Sequence, residues 1–421
     1  MLEILSILII VLGSLNLIRL AIMMIGTDIH DVRLMRAPHR KRSYQPWISV
    51  IVPAYNEELG IVRCLDSLVS NDYSRFEVIV VNDGSSDKTA SKIRAFQSKH
   101  KGFKLRLRNQ KNAGKAAAIN NGVKFARGSL IMVLDADSVL APNAIAEVPK
   151  YFADSSTVLA AANVKVLDDG RLLSLVQRYE YLISYRSKKA LNTYNMEYII
   201  GGVGSTFRKR LFEKVGGYDV DTITEDIDFT LKVLRKGSKK QNLGYMSSVH
   251  AYTEGVMTVR DLVTQRYRWK YGRMQSFLKN KELFFNNSRR YDKRLTHYQL
   301  PYSLWAEVMF TLEPLLITYF IAVVVIYSDA ITLLGAYAVT TILIAWNIIM
   351  DESETRASKK KLLPLAFMQY PLFFILSYVE YAALVKSITQ LPKLKSSLQS
   401  DKGSWEHVAR VGDQIKLPTA A

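Results

Sequence analysis

Two aspartates one residue apart, Asp135 and Asp137, end the apolar run Leu130-Ile131-Met132-Val133-Leu134. A short run of branched apolar residues suits a strand buried on both faces. Charge must begin where such a strand stops, at its carboxyl end, and open α/β sheets bind ligands in the crevice beyond those ends. Side chains at i and i+2 project to about the same side. Two hard carboxylates placed that way can hold Mg2+ or Mn2+, and through it a diphosphate. On its own, such a pair reads first as an Asx turn capping the next helix, whose Pro142 suits a first turn.

Four other stretches carry residues of comparable chemistry. In Val81-Asn82-Asp83-Gly84-Ser85, Asp83 stands at a strand end, where a carboxylate can accept hydrogen bonds from a nucleobase or ribose; a plain turn fits equally well. Asp87 reads as a helix cap. Asn112-Ala113-Gly114-Lys115 puts a glycine and a lysine at a helix start without the spacing of a phosphate-binding Walker loop. Lys115 can reach a phosphate or a base, or be solvated. Thr224-Glu225-Asp226 opens a helix, with Thr224 as N-cap and the acids where the dipole favours them. Asp226 is also a candidate general base, oriented by Glu225, for an acceptor hydroxyl. Gln265, Arg268 and Trp269 share one helix face. An arginine can grip a diphosphate and a tryptophan can stack on a sugar ring; a basic interfacial helix with a tryptophan anchor is the other reading.

The elements that must position these residues alternate. Strands are expected at Ile48–Val52, Phe76–Val81, Phe103–Arg108 and from Leu130, with helices over Glu57–Val69, Asp87–Ser98 and Gly114–Phe125 between them. This alternation implies a mostly parallel sheet with helices on both faces. Three strand ends then share one crevice: Pro53-Ala54-Tyr55-Asn56-Glu57, Asp83-Gly84-Ser85 and Asp135-Ala136-Asp137. Beyond Val158 the pattern is less regular. A helix is expected over Arg171–Tyr194, a glycine-rich loop at Gly201-Gly202-Val203-Gly204-Ser205, a helix from Thr224 to Arg235 and a last strand over Gln241–His250. Val259–Phe285 reads as a basic, aromatic amphipathic helix suited to a membrane interface.

The chain has 421 residues, 57 Lys and Arg against 38 Asp and Glu, and a net charge of +19. Such a balance can serve nucleic acid, an anionic leaflet or an anionic substrate. The single cysteine, Cys64, excludes an internal disulfide framework and reads as a small buried hydrophobe. Ile4–Ile25 is apolar over a membrane's thickness, and basic residues follow at Arg33, Arg36, Arg40, Lys41 and Arg42. That order predicts an anchor helix over residues 1–28 with the chain after it cytoplasmic, and Arg19 snorkelling to that face. The soluble domain is expected over 45–255, amphipathic interfacial helices over 256–299, a transmembrane region over 300–390 and a cytoplasmic tail over 391–421. Of the apolar blocks Leu300–Tyr327, Ala330–Met350 and Leu362–Val385, the second is the clearest span. Pro314, Pro364 and Pro371 point to broken, interfacial or re-entrant segments in the other two. Three full spans would put the basic tail outside, so one block is expected not to be a simple crossing.

Taken together and in order, Pro53-Ala54-Tyr55-Asn56-Glu57, Asp83-Gly84-Ser85, Asp135-Ala136-Asp137, Thr224-Glu225-Asp226 and Gln265 with Arg268-Trp269 resemble the family-2 inverting glycosyltransferases. Among these, the chain is most similar to the membrane-embedded processive synthases of poly-N-acetylglucosamine, hyaluronan and cellulose. The resemblance covers about Pro46 to Lys279 and implies a GT-A, Rossmann-like α/β domain with α-helical transmembrane and interfacial segments. It implies that Pro53, Tyr55, Glu57, Asp83, Lys115 and Asp135 bind the nucleotide sugar, and that Asp137 binds both the metal (Mg2+ or Mn2+) and the diphosphate. It makes Asp226 the base, with Glu225 beside it, and has Gln265, Arg268 and Trp269 close over the diphosphate. The acceptor sugar would lie against Trp269 and, by a looser match, the loop with Gly202, Gly204 and Ser205. The partners implied are a UDP-sugar, the growing polysaccharide, the lipid bilayer and possible accessory membrane or export subunits, with no role for nucleic acid. Size and layout are most similar to poly-N-acetylglucosamine synthases. Hyaluronan synthesis, single transfer to a lipid carrier, and a non-enzymatic membrane-surface scaffold or transporter are the alternatives.

Overall fold

A computed structural model describes residues 2–36, 44–327, 330–351 and 354–390. The expected tail and the basic residues Arg40, Lys41 and Arg42 lie outside them. The chain opens with α1 (Leu2–Arg36), then alternates β1 (Ile48–Ala54), α2 (Ile61–Val69), β2 (Phe76–Asp83), α3 (Thr89–Lys99), β3 (Leu105–Gln110), α4 (Lys115–Lys124) and β4 (Leu130–Val133). β5 (Val139–Leu140), α5 (Ala144–Phe152), β6 (Thr157–Val166), α6 (Leu172–Thr193), β7 (Thr206–Arg208), α7 (Lys209–Val215), α8 (Glu225–Lys236), β8 (Asn242–Thr253) and α9 (Val259–Lys279) follow. The remaining helices are α10 (Leu300–Tyr327), α11 (Ala330–Met350), α12 (Arg356–Phe367) and α13 (Gln369–Thr389).

The strands form one eight-stranded sheet in the order β3-β2-β1-β4-β7-β6-β8-β5. β1 pairs in parallel with β2 on one side (Ile48 with Phe76) and with β4 on the other (Ile48 with Leu130). The chain therefore winds outward from β1 to β3 and returns on β1's other side. The crevice of such a sheet opens at that reversal, here between the ends of β1 and β4. Short β7 runs antiparallel between β4 and β6, and β6 pairs in parallel with β8 through a bulge after Ala162. The apolar runs are buried on both faces. Ile48, Val50, Val52, Leu130 and Met132 pack under α2, α3 and α5, while Ile51, Ile79, Ile131 and Val133 pack under α4, α7 and α8. Cys64 is fully buried on α2, and burial pushes its thiol well above the usual range.

The early elements lie close to their expected places. The differences have local causes. α2 starts at Ile61 rather than Glu57, because Asn56 takes a left-handed turn at φ 53° and the Glu57 carbonyl accepts from the amides of Gly60 and Ile61. β6 and β7 lack a signal of their own. Each is completed by neighbours far along the chain.

Within α1, Val11–Arg36 is the one stretch among the described residues long and apolar enough to cross a membrane. At about 1.5 Å per residue α1 is about 50 Å long, well beyond a hydrocarbon core of about 30 Å. Its second half docks on α6. Thr27 donates to the Arg186 carbonyl (2.8 Å), Thr193 to that of Gly26 (2.9 Å) and Tyr194 to that of Ile22 (2.8 Å). Lys189 pairs with Asp31 at 2.8 Å. The Arg19 guanidinium lies 4.0 Å over the ring of Tyr302.

Against expectation, α10 runs unbroken through Pro314. The third apolar block is broken: α12 ends at Phe367 and α13 begins at Gln369, with Pro371 in its first turn, where a missing N–H costs nothing. Part of α9 packs on protein. Leu262, Arg266, Lys270, Tyr271, Gly272, Gln275, Ser276 and Phe277 are buried against protein.

Candidate active site

The ends of β1 and β2 are laced together. Asn56 receives the amide of Ser86 (2.9 Å) and gives its own amide to Ser85 (3.0 Å), while Glu57 donates its amide to Thr89 (2.8 Å). Asp87 accepts from the amides of Thr89 (3.0 Å) and Glu58 (3.1 Å), but the N-cap position expected of it falls to Lys88, one residue on. Tyr55 and Glu57 are half-buried at the rim, and Pro53 is buried in β1 beside Val81. Asp83 is fully buried. Its carboxylate accepts from Gln110 Nε2 (2.7 Å) and from the amides of Ala113 and Gly114 (2.9 Å each). It thereby fixes the loop that delivers Lys115. Gly84 makes this possible, with φ +75° and a notional Cβ only 2.8 Å from the Asn112 nitrogen.

Lys115, the first residue of α4, reaches across the crevice. Its Nζ lies 2.8 Å from Asp135 Oδ1 and 3.1 Å from Glu225 Oε1. Burial opposes its charge, but Asp135, Glu225 and Asp226 around it prevail and hold the ammonium well above its ordinary value. Asp135 is itself pushed up by burial, with Lys115 opposing and Asp137 adding. Asp137 is more deeply set. Its Oδ1 accepts from Ser138 Oγ (2.9 Å), and its backbone carbonyl receives Arg63 (3.4 Å), which also pairs with buried Glu254. Gly60 lets α2 approach this turn, since a Cβ there would stand 3.0 Å from Asp137 Cα.

Glu225 and Asp226 open α8 beneath the same crevice. Thr224 occupies the N-cap position, but its side chain makes no capping bond. Asp226 Oδ1 accepts from the amide of Ile227 (2.8 Å) and Oδ2 from that of Gly202 (2.9 Å). Burial, then repulsion from Glu225, push the Asp226 carboxyl up to about 6, with Lys115 in part offsetting them. Gly202 is where everything meets. A Cβ there would lie 3.2 Å from Lys115 Nζ, 3.7 Å from Asp226 Oδ2 and 3.9 Å from Asp135 Oδ1. Gly204 (φ +67°) and Ser205 stitch this loop to the end of β4 through the Val133 backbone at 2.7 and 2.9 Å.

Gln265, Arg268 and Trp269 are half-buried on α9. That helix crosses the start of α8 at a contact that sequence reading did not single out. A Cβ on Gly272 would lie 2.5 Å from Thr224 Cγ2, and Gln275 accepts from the Ile223 amide at 3.1 Å. The lone glycine inside an otherwise helical Trp-Lys-Tyr-Gly-Arg-Met run was the available signal. Farther along, Lys279 sits 2.7, 2.6 and 3.0 Å from Asp219, Asp221 and Asp228. Among the described residues, these carboxylates form the only group of three or more ligand side chains close enough to share a metal ion. Lys279 contacts all three, and Lys232 lies 2.5 Å from Asp219, so two ammonium groups already offset most of their charge. Asp135 and Asp137 offer two hard carboxylates just beyond the end of β4, a donor set that suits an ion completed by phosphate oxygens and water.

An open sheet reversing at β1, with paired aspartates at the reversal and the half-buried Asp226 carboxylate opposite, is the arrangement expected of a glycosyltransferase of GT-A architecture. Residues 49–216 match the model for glycosyl transferase family 2, so this stretch of the chain is similar to a family-2 glycosyltransferase domain. The chain is similar to the poly-beta-1,6-N-acetyl-D-glucosamine synthase of Staphylococcus epidermidis, at 28% identity over 374 residues, covering 85% of this chain and 86% of that one. The enzyme of the same name from Staphylococcus aureus (strain COL) is 30% identical over 274 residues, 62% of this chain and 63% of that one. A solved mannosyltransferase from Pyrobaculum calidifontis, in complex with GDP-Man and Mn2+, shares the fold with a TM-score of 0.58 and 21% identity over 88% of this chain and 99% of that chain.

Proposed function

We propose that this chain is a multi-pass membrane enzyme whose cytoplasmic domain polymerises a UDP-sugar, UDP-N-acetylglucosamine first among candidates, into a β-linked polysaccharide. On this reading it passes the product across the membrane between its own helices. The observation that carries the chemistry is the meeting at Gly202, where the donor-side pair Lys115–Asp135 and the base-side carboxylate Asp226 adjoin one residue.

Asp83 and the Tyr55–Glu57 rim take the nucleoside, with Asp83 acting largely through the loop it holds. Asp137, with Asp135 beside it, holds Mg2+ or Mn2+, which when bound supplies Lewis-acid stabilisation of the leaving diphosphate. Lys115, released from Asp135 by the donor, adds positive charge on the same side. Asp226 takes the proton of the acceptor hydroxyl as that oxygen bonds to the anomeric carbon. The carbon–oxygen bond to UDP breaks in the same displacement, and the configuration inverts. Glu225 raises the basicity of Asp226 by repulsion. Arg268 and Gln265 close over the diphosphate, and Trp269 with the Gly202–Ser205 loop supports the acceptor.

The deciding experiment incubates the purified full-length protein with UDP- and GDP-sugars and each metal, reading nucleoside diphosphate release and product length. Release from one UDP-sugar with long products is expected. Single additions only would replace polymerisation by transfer to one acceptor, and no use of any sugar nucleotide would overturn the reading.

A further inference from the structure

Helix α9 has two occupied faces. One carries Gly272, Gln275 and Lys279 and lies on the segment that bears Asp226. On the other, Arg266, Lys270 and Arg273 recur at helical spacing, and each meets a carboxylate from a different helix. Arg266 lies 2.7 Å from Glu180 of α6 and 3.4 Å from Glu380 of α13. Lys270 lies 2.8 Å from Glu380 and 2.8 Å from Glu307 of α10, and Glu307 also receives Arg273. Three cations and three carboxylates thus form one unbroken ladder across four helices.

The ladder is buried at its centre, where Lys270 and Glu307 are 4% and 7% exposed. Buried ion pairs are rarely more stabilising than apolar side chains of the same volume. What they supply is registry, because each charge has few acceptable partners and a slipped helix strands several of them. The ladder also reaches the acceptor side, since the Arg266 guanidinium lies 4.6 Å over the ring of Trp269.

We propose that this ladder is a positioning device. It holds the C-terminal apolar helices α10 and α13 in one register against Asp226, so that the product leaves the acceptor site along a fixed path. Glu380, Glu307 and Lys270 are then positioning residues for elongation and do not take part in transfer itself. The inference rests on the polymerising function proposed above.

The test compares full-length protein in lipid nanodiscs with Glu380→Gln and with Glu380→Asp, which keeps the charge that faces Lys270 and Arg266, reading UDP release and product length together. Glu380→Gln is expected to keep UDP release within about twofold while shortening products at least about fivefold, and Glu380→Asp to retain most of the length. Wild-type product length in Glu380→Gln overturns the proposal, as does a fall of release and length in equal proportion. Where Glu380→Gln does not fold, Lys270→Met is read in its place: shortened products with release kept support the ladder, and wild-type length refutes it. A parent protein making only single additions refutes the polymerising reading instead, and this inference with it.

Discussion

Asp226 is a carboxylate whose surroundings fit it for taking a proton. Burial and Glu225 hold its carboxyl up to about 6, and two backbone amides fix both oxygens. A raised value means that the proton is retained to higher pH, and the working form is the ionised one. With UDP-N-acetylglucosamine as donor, kcat/KM should therefore fall about tenfold per pH unit below 6 and level off above it. Lys115 lowers the Asp226 value, so Lys115→Met should move that limb to higher pH while Lys115→Arg leaves it in place. Asp226→Asn should cost about 10²- to 10⁴-fold in kcat with donor affinity retained, measured by isothermal titration with UDP. Full activity in that variant would remove Asp226 from the chemistry. At this scale much was legible. Asp135, Glu225 and Asp226 converge with Lys115 as their motifs implied, because each stands at a strand end or helix start whose place follows from the chain order. The buried, loop-holding geometry of Asp83 was not legible, since its three donors come from residues 110 to 114 and only the folded loop brings them together.

At the scale of elements, the contact between α8 and α9 sets how the two halves of the site face each other. Gly272 is the point of closest approach. Alanine there would raise intrinsic helix propensity by about 1 kcal/mol, yet its Cβ would meet Thr224 at 2.5 Å. Gly272→Ala should therefore lower kcat by about tenfold or more through displacement of Trp269 and Arg268. Thr224→Ala in the same protein removes both the methyl and the hydroxyl, each 2.5 Å from that Cβ, and should recover part of the loss in the UDP-release assay. An unchanged kcat in Gly272→Ala would show that the spacing of these helices is slack. The strands from β1 to β4 could be read because apolar runs alternate there with amphipathic helices. β7 is three residues long and gains its place only between β4 and β6, a long-range pairing that no local pattern announces. α9 resembled an interfacial helix in sequence because basic and aromatic residues alternate along it. Its carboxylate partners lie on α6, α10 and α13, far away in the chain.

At the scale of the whole molecule, α1 belongs half to the apolar surface and half to the domain. Ile18 is 58% exposed, while Asp31 pairs with Lys189 on α6. Asp31→Asn should lower the thermal midpoint by about 4 °C or more without loosening the protein from membranes. Ile18→Asp should do the reverse, freeing the first half of α1 from the bilayer while the thermal midpoint stays in place, read by labelling of Leu12→Cys alongside thermal unfolding. Variants that changed both properties together would mean that the two halves act as one. Metal removal separates chemistry from architecture in a similar way, and here the Lys279 clamp has a consequence for the cell. An ion drawn from solution leaves when its supply falls, whereas an ammonium tethered to the backbone is present at every concentration. By holding three carboxylates with its own side chain, the molecule makes the seat of α9 indifferent to divalent supply. Scarcity of the metal, or a chelator, should then silence transfer with the circular dichroism spectrum and thermal midpoint unmoved. A starved enzyme would wait intact in the membrane and resume synthesis as soon as the ion returned.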